Sequence, residues 1–253
     1  MFWICVTVFF AILITYCIGF GLGTILLPVM CFYYPPLEAL FLSAILHGFQ
    51  SAIKTLINFK YIPWRQVIWF SACAIPCSFL GSYCILYITQ WSYKIHFNIF
   101  SVGFYTTPIR FVIACSMLVF SILELLKPKR HVAEKPIVFM SSGALSGFFG
   151  GLTGHQGVLR SMFTSKQFNT IYTLVAFNGL VSLCIDATRL LNYFKGTIAI
   201  STAPLHITVL LGIALLATFT GQHFLKHIKL NLINRLIFIF IIVFAFCYGI
   251  GLV

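Results

Sequence analysis

The chain has 253 residues, 60% of them hydrophobic and 8% charged, with 16 Lys and Arg against 4 Asp and Glu for a formal net charge of +12. Soluble domains carry about 25% charged residues, so this composition excludes a soluble globular protein and predicts a multi-pass protein of the cell membrane. The basic excess is a topology and lipid signal in such a chain, and no basic run interleaved with aromatics points to nucleic acid.

A spanning helix needs about 20 apolar residues, and eight such segments follow one another. The first covers 2–20 and continues as a broken piece to 34. Residues 1–37 hold no charge, so the positive start of a signal peptide is missing and the segment is expected to stay. The second, 38–58, carries His47. The third, 66–88, carries Cys73, Pro76 and Cys77, the two thiols sharing a helix face. The fourth covers 109–126. A polar connector at 127–136 holds four of the 16 basic residues and is placed in the cytoplasm by the positive-inside rule. The remaining segments cover 137–158, 168–190, 204–225 and 232–252. The expected fold is therefore an all-α polytopic membrane protein.

The connector divides the chain into residues 1–126 and 137–253, and the two parts resemble each other. Residues 78–88 match 218–228, residues 55–60 match 189–194, and residues 19–29 match 147–158, at offsets of roughly 130–140 in the same order. This predicts two four-segment repeats, each with a glycine-rich broken helix. The repeats are parallel if every segment crosses, and inverted if one segment per half is re-entrant.

The densest signal lies at 147–163, GFFGGLTGHQGVLRSMF. Gly143 and Gly147 have the small-xxx-small spacing of close helix packing. From Gly150 the glycines crowd together, with Gly151, Gly154 and Gly157 separated by Thr153, His155 and Gln156. Each costs a helix about 1 kcal/mol relative to Ala, which predicts unwound backbone over 151–157. Unwound backbone at membrane depth survives where it lines a cavity or is buried in protein. Its free N–H groups and the start of the next helix form an anion site. Arg160 follows, either as a ligand for that anion or as a helix end whose side chain snorkels to the interface. The first half has Gly21, Gly23 and Thr24 at the corresponding place, with Pro28 behind them and no charge. The candidate substrate-binding set is Gly151, Gly154, His155, Gln156, Gly157, Arg160, Gly21, Gly23 and Thr24. Asp186 and Arg189 stand three apart and are expected to pair. Together with His47 and Asn178 they are assigned to coupling or to structure.

At these residues the sequence resembles the sulfite exporter TauE/SafE family. The G-x-x-G-x-x-G-V-L-R run at 151–160 and the I-D-A-T-R run at 185–189 are similar to that family's second-half signature, and GFGLGTILLPVM at 19–30 resembles its first glycine motif. The resemblance implies a secondary transporter of small sulfur anions such as sulfite or sulfonates. An anion would bind between the repeats and cross by alternating access. Arg160 would supply charge, 151–157 backbone donors, Gln156 orientation, and His155 a coupling proton, since imidazole titrates near neutrality. No chemical cofactor, metal site or catalytic residue is implied. The expected partners are the anion, the bilayer and a proton, and a homo-oligomer is compatible with the sequence. The reading from another class is a thiol redox carrier or membrane enzyme built on Cys73 and Cys77.

Overall fold

The computed structural model describes residues 2–18, 22–99, 102–126, 136–164, 167–168, 170–195, 203–224 and 231–252. Gly19, Gly21, Lys166 and the basic connector at 127–135 lie outside the described residues.

The described chain is built of ten α-helices: α1 Phe2–Ile18, α2 Leu22–Tyr33, α3 Pro36–Ile57, α4 Trp64–Thr89, α5 Pro108–Leu126, α6 Pro136–Thr153, α7 Gln156–Thr164, α8 Ile171–Lys195, α9 Pro204–Phe224 and α10 Asn231–Ile250. Six of them, α3, α4, α5, α6, α8 and α9, are long and apolar enough to cross a membrane, and shorter apolar helices accompany them. Proline opens α3, α5, α6 and α9, where its missing N–H has no intrahelical partner to lose. Large apolar side chains point outward, among them Trp69, Phe79 and Tyr83 of α4, Phe219 of α9 and Phe240 of α10. Such an exterior suits lipid, which is as apolar as the side chains themselves. One element departs from the all-α expectation. Antiparallel strands β1 Ile95–Ile99 and β2 Val102–Thr106 form a hairpin between α4 and α5, with Ile95 opposite Thr106.

The helices pack in definite pairs: α3 on α8, α5 on α10, α4 on α6, α1 on α9, and α4 also on α8. The α4–α6 seam is set by glycine. A Cβ on Gly143 would stand 2.7 Å from the Phe70 carbonyl oxygen, and Cβ atoms on Gly147 and Gly151 would overlap the backbones of Ala74 and Ser78. Gly81 of α4 returns the contact against Phe148. This four-residue spacing brings the two backbones together as small-residue stripes do in membrane helices. Gly151 therefore faces α4 from within α6. The core around these pairs is apolar, with Leu26 and Met30 of α2, Leu40 and Phe41 of α3, Met117 of α5 and Ala214 of α9 all inaccessible or nearly so.

Candidate functional site

Helix α6 ends at Thr153, and α7 begins at Gln156. Only Gly154 and His155 lie outside the helices, so the expected unwinding over 151–157 is confined to two residues. Gly151 remains in α6, and Gly157 lies in the first turn of α7. Gly154 donates its N–H to the Gly150 carbonyl at 2.9 Å and takes φ +85°. That is the left-handed turn with which a helix commonly closes, and glycine adopts it without strain. The chain then doubles back. Ser146 Oγ donates to the Gln156 carbonyl at 2.9 Å, although in a straight helix ten residues span about 15 Å. Gly150 makes room for the return, since a Cβ there would stand 2.9 Å from Gln156 Cβ.

The reversal delivers its polar residues to one buried cluster with α3 and α8. Asp186 is its centre and is fully buried. Its Oδ1 accepts from Arg189 Nε at 3.0 Å and from Gln156 Nε2 at 3.1 Å, and Arg189 Nη2 lies 2.9 Å from it. Its Oδ2 pairs with His47 Nδ1, reaching across 139 residues of sequence. Arg160 Nη2 donates to Ser182 Oγ of α8 at 2.8 Å, and Nη1 reaches Gln156 Oε1 at 3.5 Å. Arg160 is 4% exposed. Its head is folded into the protein, not extended to the surface as a snorkelling anchor would be.

Close helix approach makes these pairings available. A Cβ on Gly48 would touch Asp186 Cβ at 3.3 Å, and one on Gly179 would touch Thr55 Oγ1 at 2.8 Å. Two glycines thus let α3 and α8 approach, and His47 sits beside the first of them. Ser78 of α4 donates to the Ile185 carbonyl at 3.2 Å and fixes α8 on its other side. His155 shares a hydrogen bond of 2.9 Å with Thr153 Oγ1 through Nδ1 and stacks on Phe120 of α5, ring centroids 5.1 Å apart.

Some donors in the cluster are left over. Among the described residues, His155 Nε2, Arg160 Nε and Arg189 Nη1 are buried nitrogens with no hydrogen-bond partner. Arg189 Nη1 is the atom that a Cβ on Gly154 would meet at 2.8 Å. The Arg189 guanidinium pairs with the Asp186 carboxylate and that of Arg160 joins only through Gln156, and buried charge is tolerated only when paired or put to use. The arrangement suits a small anion carrying several acceptor oxygens. Thr24 of α2 is buried, and Gly23 lies so close to Gly154 that any Cβ would run into its carbonyl oxygen. Gly23 therefore touches the turn at Gly154. Asn178 is half-buried one turn from Ser182, and its Oδ1 has no partner.

Sequence spacing alone finds the Asp186–Arg189 pair. It leaves out Ser182 and Phe120, whose roles exist only across helices, and gives Thr153 no role beside His155. Cys73 and Cys77 remain free, half-buried thiols on α4.

The family model described as "Sulfite exporter TauE/SafE" matches residues 4–248. No curated protein and no solved structure matches the chain.

Proposed function

The chain belongs to the sulfite exporter TauE/SafE family of membrane transporters, and we propose that it carries a small sulfur oxyanion, sulfite or a sulfonate, outward across the cell membrane by alternating access. One observation carries the reading. Arg160 and Arg189 are buried around the single carboxylate of Asp186, with guanidinium N–H groups left over beside the Gly154 turn. Guanidinium N–H groups match the oxygens of a compact oxyanion. The substrate lies against Arg160, Arg189 Nη1, His155 and the Gly154–Gln156 backbone.

The two halves are copies that move against each other. Three features support this. The sequence matches between halves recur in order. The packing pairs exchange when the halves are swapped, α3–α8 and α5–α10 onto themselves and α4–α6 onto α9–α1. The glycine segments meet at Gly23 and Gly154. The α6–α7 reversal supports a re-entrant segment in the second half. The packing of α2 on α1 supports its counterpart in the first. A re-entrant pair leaves an odd number of crossings per half, so the repeats are inverted.

Counterflow of labelled sulfite in vesicles loaded with unlabelled sulfite tests the reading, with sulfonates, sulfate, carboxylates and chloride as competitors. Sulfite exchange inhibited by sulfonates is the expected result. Exchange of none of these anions by correctly inserted protein would end the proposal.

A further inference from the structure

We propose that His47 is the proton-coupling residue of this carrier, taking one proton when the cluster receives a doubly charged anion and releasing it when the anion leaves. The inference rests on the anion-site reading above and assigns its coupling to His47 instead of His155.

The first argument is position. His47 comes from α3 in the first half, while Asp186, Arg189, Gln156 and Arg160 come from the second. The His47–Asp186 pair is thus a side-chain bond joining the halves at the site. Relative movement of α3 and α8 makes or breaks it, so the pairing state and the conformational state are linked.

The second is access. The His47 side chain is 10% exposed, against none for Asp186 and 1% for Arg189, and His155 and Gln156 are fully buried. His47 is the most exposed side chain of this group. His155 has Phe120 across its ring face and Thr153 on Nδ1.

The third is charge. Arg160 and Arg189 against Asp186 leave the hydrogen-bonded cluster at +1 with a neutral imidazole and at +2 with an imidazolium. A monoanion neutralises the first state and a dianion the second, and an uncompensated charge buried there is costly. Nδ1–H donates to Asp186, so Nε2 is the nitrogen that gains and loses the proton. Asp186, bonded to Nδ1, fixes the tautomer. The charged and histidine groups on α3 itself are Glu38 and Lys54, and those on elements packed against it are Asp186, Arg189 and Lys195 on α8, Arg110 and Glu124 on α5, and His206 and His223 on α9. Arg160 joins from α7 through Gln156, and α2 contributes no charge.

The test has two arms. In vesicles containing a pH-sensitive dye, labelled sulfite is supplied at alkaline pH, where it is a dianion. About one proton should accompany each sulfite with the wild type, as charge balance requires, and the His47→Gln protein should lose that proton movement from its remaining flux. Wild-type sulfite flux without protons, or an unchanged proton-to-sulfite ratio in His47→Gln, would overturn the assignment. The second arm needs no transport. In membrane-embedded protein with 15N-labelled histidine, the imidazole signal missing from His47→Gln should gain a second N–H when sulfite is added at alkaline pH. A ring whose protonation state does not change on sulfite addition would equally overturn it. Absence of sulfite counterflow in the wild type would instead count against the anion-transport reading.

Discussion

Gly154 lies against Arg189: a Cβ on the glycine would stand 2.8 Å from Arg189 Nη1, while its φ of +85° already belongs to the left-handed region. The turn that ends α6 and the cation of α8 thus form one surface. Backbone conformation at 154 and side-chain position at 189 cannot change independently.

Gly154→Ala should accordingly impair transport without preventing insertion. The left-handed conformation costs an L-residue about 1–2 kcal/mol, and the new methyl displaces the guanidinium. Sulfite counterflow at matched expression should fall about tenfold, the equivalent of that free energy. Wild-type flux from Gly154→Ala would show that neither the turn nor Arg189 Nη1 takes part.

Gly23 tests the contact from the other half. Its missing side chain admits the Gly154 carbonyl, so even Ala forces the glycine segments apart. Gly212 of α9 is the matched control, because a Cβ there would meet nothing within 4 Å. Gly23→Ala should reduce counterflow severely. Gly212→Ala should transport normally and melt no lower, since Ala favours a helix over Gly by about 1 kcal/mol. Equal behaviour of the two variants would remove the tip-to-tip contact from the mechanism.

The helices were readable because a stretch of about 20 apolar residues declares itself by composition. The Gly154 turn was readable because glycine crowding is costly in a helix. The break is shorter than the glycine count alone implies. Gly147 and Gly151 carry the same propensity signal as Gly154, but tertiary packing on Ala74 and Ser78 keeps them helical. The hairpin Ile95–Ile99 with Val102–Thr106 lies between two strong helical signals that mask its short strand pattern. The Asp186–Arg189 pair is local, three residues along one helix, and so legible. His47 reaching Asp186 and Ser182 reaching Arg160 depend on how α3 and α7 approach α8. No periodicity along a single helix encodes that approach.

Asp186 should bear on stability as well as on transport. Asp186→Asn removes the one carboxylate bonded to Arg189, Gln156 and His47, leaving both guanidiniums buried without a counter-charge. Breaking a buried pair in this way costs about 3–5 kcal/mol. The variant should melt well below wild type in detergent, and adding Arg189→Gln should restore part of the loss. A second substitution that lowers the melting temperature by its full independent amount would show that the two residues are not coupled.

Cys73 and Cys77 should be dispensable. Both are free, half-buried thiols on α4, and Cys commonly serves as a small apolar residue in such packing. The Cys73→Ser, Cys77→Ser double variant should exchange sulfite at the wild-type rate. Loss of exchange at normal expression would bring the thiols into the mechanism.

Arg160 separates an anion ligand from a structural cation most directly. Its guanidinium donates to Ser182 through Nη2 and reaches Gln156 through Nη1, while Nε has no partner. Lys keeps the charge but gathers it and its donors on one nitrogen in place of a planar fork. It cannot hold Ser182 and present a second N–H in the same plane to an oxyanion. Arg160→Lys should therefore raise the sulfite concentration needed for half-maximal counterflow about tenfold or more, the size of a charge-assisted hydrogen bond of about 1.5–3 kcal/mol. Maximal rate should change less. Arg160→Gln loses the charge as well and should nearly stop transport. Melting in detergent, measured on the same preparations, distinguishes a lost ligand from a lost fold. The ligand reading requires Arg160→Lys to melt near wild type while binding sulfite poorly. If Arg160→Lys instead shows wild-type half-saturation, the anion is held by Arg189 and the Gly154 turn, and Arg160 serves to pin α7 to Ser182.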